Sequence, residues 1–265
     1  MIRLIRALTL ALCVLSLSFA ADAANPIKLG VMAGAEEEIA EVAVKVAARD
    51  GLKVELVTFQ DYALPNAALE AGDLDANAFQ HQPYLDAQIA AHGYHIVAIG
   101  LTTVQPIGLY SRKIKSVAEL KNGARIAIPN DPSNGGRALN LLATQGLLSI
   151  KPGRGLTPNI TDIAANPRHF DIVELDAAQL PRALPDVDVA VINTNYAVDA
   201  GLSPAHDALA QEPIVGNPYG NFVATRTKDR ARPDLLRLVK AFQSPEVRTL
   251  LETRFKGAIL PAWTE

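Results

Sequence analysis

Three short segments put polar side chains where a strand pattern gives way to a helix pattern. Pro129-Asn130-Asp131-Pro132-Ser133-Asn134-Gly135-Gly136-Arg137 follows an apolar run. A helix start there offers free N–H groups and a positive dipole end. Arg137 adds a planar fork that can grip a carboxylate with two hydrogen bonds, and the glycines allow a ligand close to the backbone. The plainer alternative is a helix capped by Asn134 with Arg137 paired to an acid. Ile192-Asn193-Thr194-Asn195-Tyr196 repeats the strand-to-helix pattern. Asn193 carries a donor and an acceptor, so it can meet an ammonium or a carboxylate; two helix caps are the alternative. In Asn77-Ala78-Phe79-Gln80-His81-Gln82-Pro83-Tyr84, strand alternation puts Phe79 and His81 on one side. Two flat rings can flank an apolar group, a thioether included. The alternative leaves Phe79 in the core and His81 capping the next helix. Asn221, in Tyr219-Gly220-Asn221-Phe222, is either a cleft-facing amide or a turn residue.

Catalysis would need an acid/base pair. His81 with Asp86 or Asp131 is the one pair available, and no spacing supports it. None of the five histidines forms an H-E-x-x-H zinc pattern, and no G-x-S-x-G, P-loop or G-x-G-x-x-G occurs. These observations predict a protein that is not an enzyme and carries neither metal nor cofactor.

The elements that must hold these residues alternate along the chain. Strands are expected at Ile27–Met32, Val54–Phe59, Leu74–Phe79, Ala124–Ile128, Asp171–Leu175, Asp188–Ile192 and Phe222–Arg226, with one or two more in Tyr94–Tyr110. Helices are expected at Glu36–Arg49, from Pro65 to a stop at Gly72, from Pro83 to near Gly93, at Gly135–Leu148, at Ala177–Leu184 and from Pro233 onward. Ser116-Val117-Ala118-Glu119 has the spacing of a capping box. Alternating strands and helices imply an α/β fold. About 240 residues suit two α/β lobes, with a ligand cleft where loops at strand ends meet.

The chain has 265 residues, 25 Lys+Arg against 28 Asp+Glu, and a net charge of −3. That balance offers no basic surface for phosphates and excludes a typical nucleic-acid binder. The first 23 residues read as a signal peptide: Arg3 and Arg6, an apolar run from Leu8 to Phe19, then Ala21-Asp22-Ala23. The run is too short to span a bilayer. The single cysteine, Cys13, lies within it. Leu12 before it and the apolar residues beyond it favour cleavage after Ala23 over lipidation at Cys13. The expected location is the periplasm.

Longer motifs add a resemblance. The runs NAFQHQPYLD, PNDPSNGGRAL, NPRHFDIVELDAAQLPRALPDVDVAVINTNYA and FKGAILPAW resemble the methionine-binding lipoprotein family of ABC importers, over nearly all of the chain beyond residue 23. The resemblance implies a two-lobe type II periplasmic binding fold that closes on one amino acid and delivers it to a membrane permease as a monomer. By that resemblance Arg137 holds the ligand carboxylate, Asn193 and Asn221 hold the amino and carboxylate groups, and Asn134 assists. Tyr62, Phe79 and His81 form the side-chain slot; Tyr84 and Asn195 are further candidates. Expected lobes are 24–110 with 218–265, and 111–217. Alternatives are another apolar amino acid, a Met-containing dipeptide or an organic anion, and more remotely an enzyme on the same fold. Two departures from the family pattern stand out: Ala78, where many relatives carry an aromatic before the Phe, and Met32-Ala33-Gly34-Ala35-Glu36 bordering the cleft, where many have a loop with Gly and Pro.

Overall fold

The computed structural model describes residues 25–264. The expected signal peptide, Cys13 and the expected cleavage point after Ala23 lie outside them. Strand β1 (Ile27–Met32) leads to α1 (Ala35–Arg49), β2 (Val54–Phe59), α2 (Leu64–Ala71), β3 (Ala76–His81), α3 (Gln82–His92) and β4 (Ile96–Val104). A second series follows: β5 (Gly108–Tyr110), β6 (Arg125–Pro129), α4 (Pro132–Thr144), the short pair β7 (Ser149–Ile150) and β8 (Ile163–Ala165), and β9 (Asp171–Leu175). It continues with α5 (Leu180–Ala183), β10 (Val189–Ile192), α6 (Thr194–Asp199), α7 (Pro204–Asp207) and β11 (Ala208–Gln211). The chain then runs through β12 (Gly220–Arg226), α8 (Pro233–Phe242), α9 (Pro245–Leu250) and β13 (Leu260–Pro261).

Two main sheets result. One has the order β13-β4-β12-β3-β1-β2 and the other β11-β5-β10-β6-β9. The chain passes from the first to the second at residues 105–107 and returns at 212–219. Strand β5, which the expected boundary after Tyr110 puts in the first lobe, pairs with β10 in the second sheet.

Alternation along the strands supplies both faces of each sheet. In the second sheet Ile126, Ile128, Val189 and Val191 pack with Leu139 and Leu142 of α4. Ala127, Ala190 and Ile192, pointing the other way, pack with Leu180 of α5 and Ala197 of α6. In the first sheet, Leu29 and Val31 face Ile39, Ala43 and Ala47 of α1 and Leu238 and Phe242 of α8. Leu69, Leu85 and Phe222 fill the opposite face. Among the described residues no helix is long and apolar enough to cross a membrane.

Strand direction positions the site. β1, β2 and β3 run parallel to one another, as do β6, β9 and β10. Their C-terminal ends, and the loops that leave them, therefore gather on one side of each sheet. β12 runs antiparallel to β3, with Asn221 opposite His81, so its first residues join the same group.

Candidate functional site

A cavity lies where these strand ends meet. It is lined by Glu36, Tyr62, Phe79, His81, Tyr84 and Asn221 from the first lobe and by Asn134, Arg137, Asn193 and Asn195 from the second. Gln80, Gln105 and Thr194 complete it. All nine residues singled out in the sequence line it.

Asp131, not Asn134, caps α4: its carboxylate accepts from the Asn134 N–H at 2.8 Å. The helix starts at Pro132, three residues before the expected start, because Pro suits the first turn of a helix. That leaves the Asn134 side chain free to turn inward. Its Nδ2 donates to Asp131 at 2.9 Å, and its Oδ1 accepts from Asn193 Nδ2 at 2.8 Å. The same Oδ1 meets His81 Nε2 at 3.3 Å. Asn134 thus connects the lobes and orients Asn193.

The orientation matters. With one Nδ2 hydrogen given to Asn134, Asn193 presents Oδ1, a buried acceptor without a partner among the described residues. Asn195 is the reverse. Its Oδ1 accepts from the Tyr62 hydroxyl at 2.6 Å, and its buried Nδ2 donor has no described partner. His81 Nδ1 accepts from the Tyr84 N–H at 3.2 Å, which puts the ring proton on Nε2. Burial and the Arg137 charge push the His81 pKa down to about 3, so the ring is neutral at physiological pH.

Arg137 is buried and already paired. Its Nε donates to both Glu212 oxygens at 2.9 and 3.0 Å, and its Nη2 donates to Glu212 at 2.6 Å and to the Gln105 carbonyl at 2.8 Å. The guanidinium also lies 4.1 Å over the Tyr219 ring. Nη1 remains without a hydrogen bond among the described residues. Neighbouring glycines serve the chain rather than a ligand. A Cβ on Gly135 would meet the Pro129 carbonyl at 2.8 Å, and one on Gly136 would meet the Thr157 backbone at 2.6 Å.

Glu36 is one of four cavity residues, with Gln80, Gln105 and Thr194, that sequence reasoning did not single out. It lies in the first turn of α1, the first of three consecutive glutamates that complement the helix dipole. Its only distinctive signal was its place just after a strand end. The side chain is buried, at 6% exposure. Oε1 accepts from Gln105 Nε2 at 3.1 Å and Asn221 Nδ2 at 3.4 Å, while Oε2 is buried with no described partner. Burial holds its pKa well above the ordinary carboxylate range, against the Gln105 hydrogen bond that lowers it.

The opposite wall is aromatic. Tyr62 lies 6.0 Å from Phe79 and 4.9 Å from Tyr196, and Phe79 meets Tyr84 edge-on at 5.9 Å. Met32 packs among these rings. Tyr84 donates its hydroxyl to the Tyr62 carbonyl at 2.9 Å, so it fixes Tyr62 as well as lining the wall. Neither Asp86 nor Asp131 bonds His81: Asp86 accepts from Gln82 and Asp131 is spent on the cap. Among the described residues no group of three or more His, Cys, Asp or Glu side chains could hold a metal ion.

The family model described as NlpA lipoprotein matches residues 27–263, which span both sheets and every residue of the cavity. The chain belongs to the NlpA lipoprotein family. Within reach of the family, the D-methionine-binding lipoprotein MetQ of Salmonella typhimurium is 51% identical over 242 residues, covering 90% of this chain and 89% of that protein. A solved structure of a nutrient binding protein from Burkholderia cenocepacia, bound to methionine, matches with a TM-score of 0.88 at 52% identity. It covers 89% of this chain and 100% of that one. A periplasmic substrate-binding protein of an ABC transporter from Coxiella burnetii matches with a TM-score of 0.86 at 51% identity, covering 89% and 100%. The fold is therefore the two-lobe type II arrangement expected from the resemblance. The relatives named here are binding proteins. Family members carry the name lipoprotein, so the preference for release after Ala23 over lipid anchoring is not borne out.

Proposed function

We propose that this chain is a non-catalytic binding protein that captures methionine and delivers it, as a monomer, to a membrane ABC importer. The observation that carries the reading is the set of unpaired atoms around one cavity. Glu36 Oε2 and Asn193 Oδ1 offer acceptors for an ammonium, while Asn195 Nδ2 offers a donor for a carboxylate, with the Arg137 guanidinium on the same wall. Asn221 borders the same group. An organic anion would leave Glu36 without its partner, so the cavity suits a zwitterion better. Tyr62, Phe79 and the neutral His81 supply the apolar wall for a thioether. The methionine-bound relative supports this ligand over other apolar amino acids.

The lobes in this reading are 25–104 with 220–264, and 108–211, joined by the two crossing segments. Ligand contacts from both lobes would stabilise the closed arrangement, which is how a hinged trap works. We further propose that residues 1–23 direct export to the periplasm. The family name supports a lipid anchor, and Cys13 is the one thiol in the chain that could carry it. Intact mass of the exported protein separates an acylated Cys13 start from an unmodified Ala24 start.

Calorimetric titration tests the ligand. L-methionine and D-methionine are compared with norleucine, leucine, methionine sulfoxide and N-acetylmethionine. The expected order puts a methionine enantiomer first and N-acetylmethionine at least about thirtyfold weaker, the cost of leaving a buried charge unpaired. Sulfoxide binding as tight as methionine overturns the apolar wall. Absence of methionine binding overturns the assignment.

A further inference from the structure

Helix α1 begins without a cap of its own. Gly34 precedes it at φ 87° and has no side chain to accept from the first-turn N–H groups. A helix start leaves such groups without intrahelical partners. Here the acceptor comes from the other lobe. Asp199, the last residue of α6, accepts the Ala35 N–H on Oδ1 at 3.0 Å. The carboxylate lies against the Gly34 backbone so closely that a Cβ there would come within 2.3 Å of Oδ1 and 2.4 Å of Cγ. Glycine at position 34 is therefore required twice, for its φ and for this approach.

Charge alone does not explain the contact. The first turn of α1 already carries Glu36, Glu37 and Glu38. Burial pushes the Asp199 pKa up, and Glu38 adds to the rise. Arg254, bound to Glu38 at 3.0 Å, offsets part of it. What holds the carboxylate is the hydrogen bond and the fit against glycine. The rest of α6 crosses the cleft in the same direction: Asn195 accepts from Tyr62, and the Tyr196 hydroxyl donates to the Gln60 carbonyl at 3.3 Å. One end of α6 thus lines the cavity, and its other end docks on α1.

We propose that Asp199 and Gly34 form a latch between the lobes. The carboxylate caps α1 only when the lobes are closed, and it grips the peptide N–H immediately before Glu36, the residue offered to the ligand ammonium. Asp199 does not line the ligand cavity; it is a positioning residue. When the lobes part, water replaces it on the Ala35 N–H. The latch therefore slows release of a trapped ligand without slowing its entry. The inference rests on reading the cavity as an amino-acid site.

The test uses Asp199→Ala, Asp199→Asn and Gly34→Ala, with stopped-flow kinetics of methionine binding. Asp199→Ala is expected to raise the dissociation rate roughly fivefold to thirtyfold, the worth of a helix cap. The association rate should stay within about threefold. Asparagine keeps the accepting oxygen, so Asp199→Asn is expected to restore slow release. Gly34→Ala should resemble Asp199→Ala. Spin labels on introduced cysteines, one per lobe, report the closed fraction in parallel, which should fall in Asp199→Ala and recover in Asp199→Asn. An unchanged dissociation rate in Asp199→Ala overturns the latch, as does an asparagine variant that behaves like alanine. A variant that lowers only the melting temperature, with release unchanged, assigns Asp199 a structural role and also overturns it. If the unaltered protein fails to bind methionine, the ligand reading falls while the latch is still judged by the closed fraction of ligand-free protein, and equal fractions across the variants overturn it.

Discussion

Glu36 is the residue whose state depends most on what shares the cavity. Its carboxyl, held above the ordinary value of 4.5 by burial, keeps its proton where a free side chain would lose it. Below that ordinary value both states are protonated and nothing is lost. Above it, the closed ligand-free protein loses stability until the pH passes the raised pKa. An ammonium beside Oε2 reverses the penalty. Glu36→Gln is therefore expected to melt higher than the unaltered protein at pH 7 without ligand, with the gap vanishing below about pH 4.5. The same variant should bind methionine at least about thirtyfold more weakly. Scanning calorimetry across pH and titration at pH 7 check the two halves, and unchanged affinity would remove Glu36 from the site. At this scale the sequence identified Arg137, Asn193 and the rings by type and position. It did not identify Glu36, because an acid in a first turn is ordinarily solvated. Nor did it reveal that Glu212, 75 residues from Arg137, already occupies most of the guanidinium.

Helix and strand limits were legible wherever a local rule operates alone. The strands at Ile27–Met32, Val54–Phe59 and Asp171–Leu175 match their expected ends. The α2 stop at Gly72, in the left-handed region at φ 90°, was equally plain. Where two caps compete, the pattern misled. Ser116-Val117-Ala118-Glu119 forms a single 3₁₀ turn: Ser116 accepts from the Ala118 N–H, and the Glu119 carboxylate meets the Lys115 N–H instead of closing a box. At α4, Asp131 takes the cap and Asn134 the cavity. Asp131→Ala is expected to destabilise the protein by about 1 kcal/mol. It should also weaken methionine binding, since Asn134 Nδ2 loses the partner that orients it toward Asn193. Urea denaturation with parallel titration checks this. Lost stability with intact affinity would confine Asp131 to the cap.

Across the whole molecule, one ion pair joins both segments that connect the lobes. Glu212 lies on the returning segment and Gln105 on the outgoing one, and Arg137 binds both. Glu212 also accepts the Ile107 N–H at 3.1 Å, and its own N–H donates to the Ile107 carbonyl at 3.1 Å. Glu212→Gln leaves the buried Arg137 charge short of its partner. The expected loss is about 3–5 kcal/mol of stability, measured by urea unfolding. Faster hydrogen exchange should be concentrated at residues 105–107 and 212–219. A loss under about 1 kcal/mol with unchanged exchange would show that the pair does not hold the crossing segments.

The sequence by itself determined the class of fold, most strand and helix limits, and the segments that carry polar residues to strand ends. These follow from periodicity and caps, which act over a few residues. The tertiary structure decided which atoms those residues present. Asn193 offers an oxygen and Asn195 a nitrogen because Asn134 and Tyr62 take the other ends of their amides. Glu36 faces the cavity because the α1 start meets the other lobe. Each is a contact between residues more than fifty positions apart, and no local pattern encodes which end of an amide is left free.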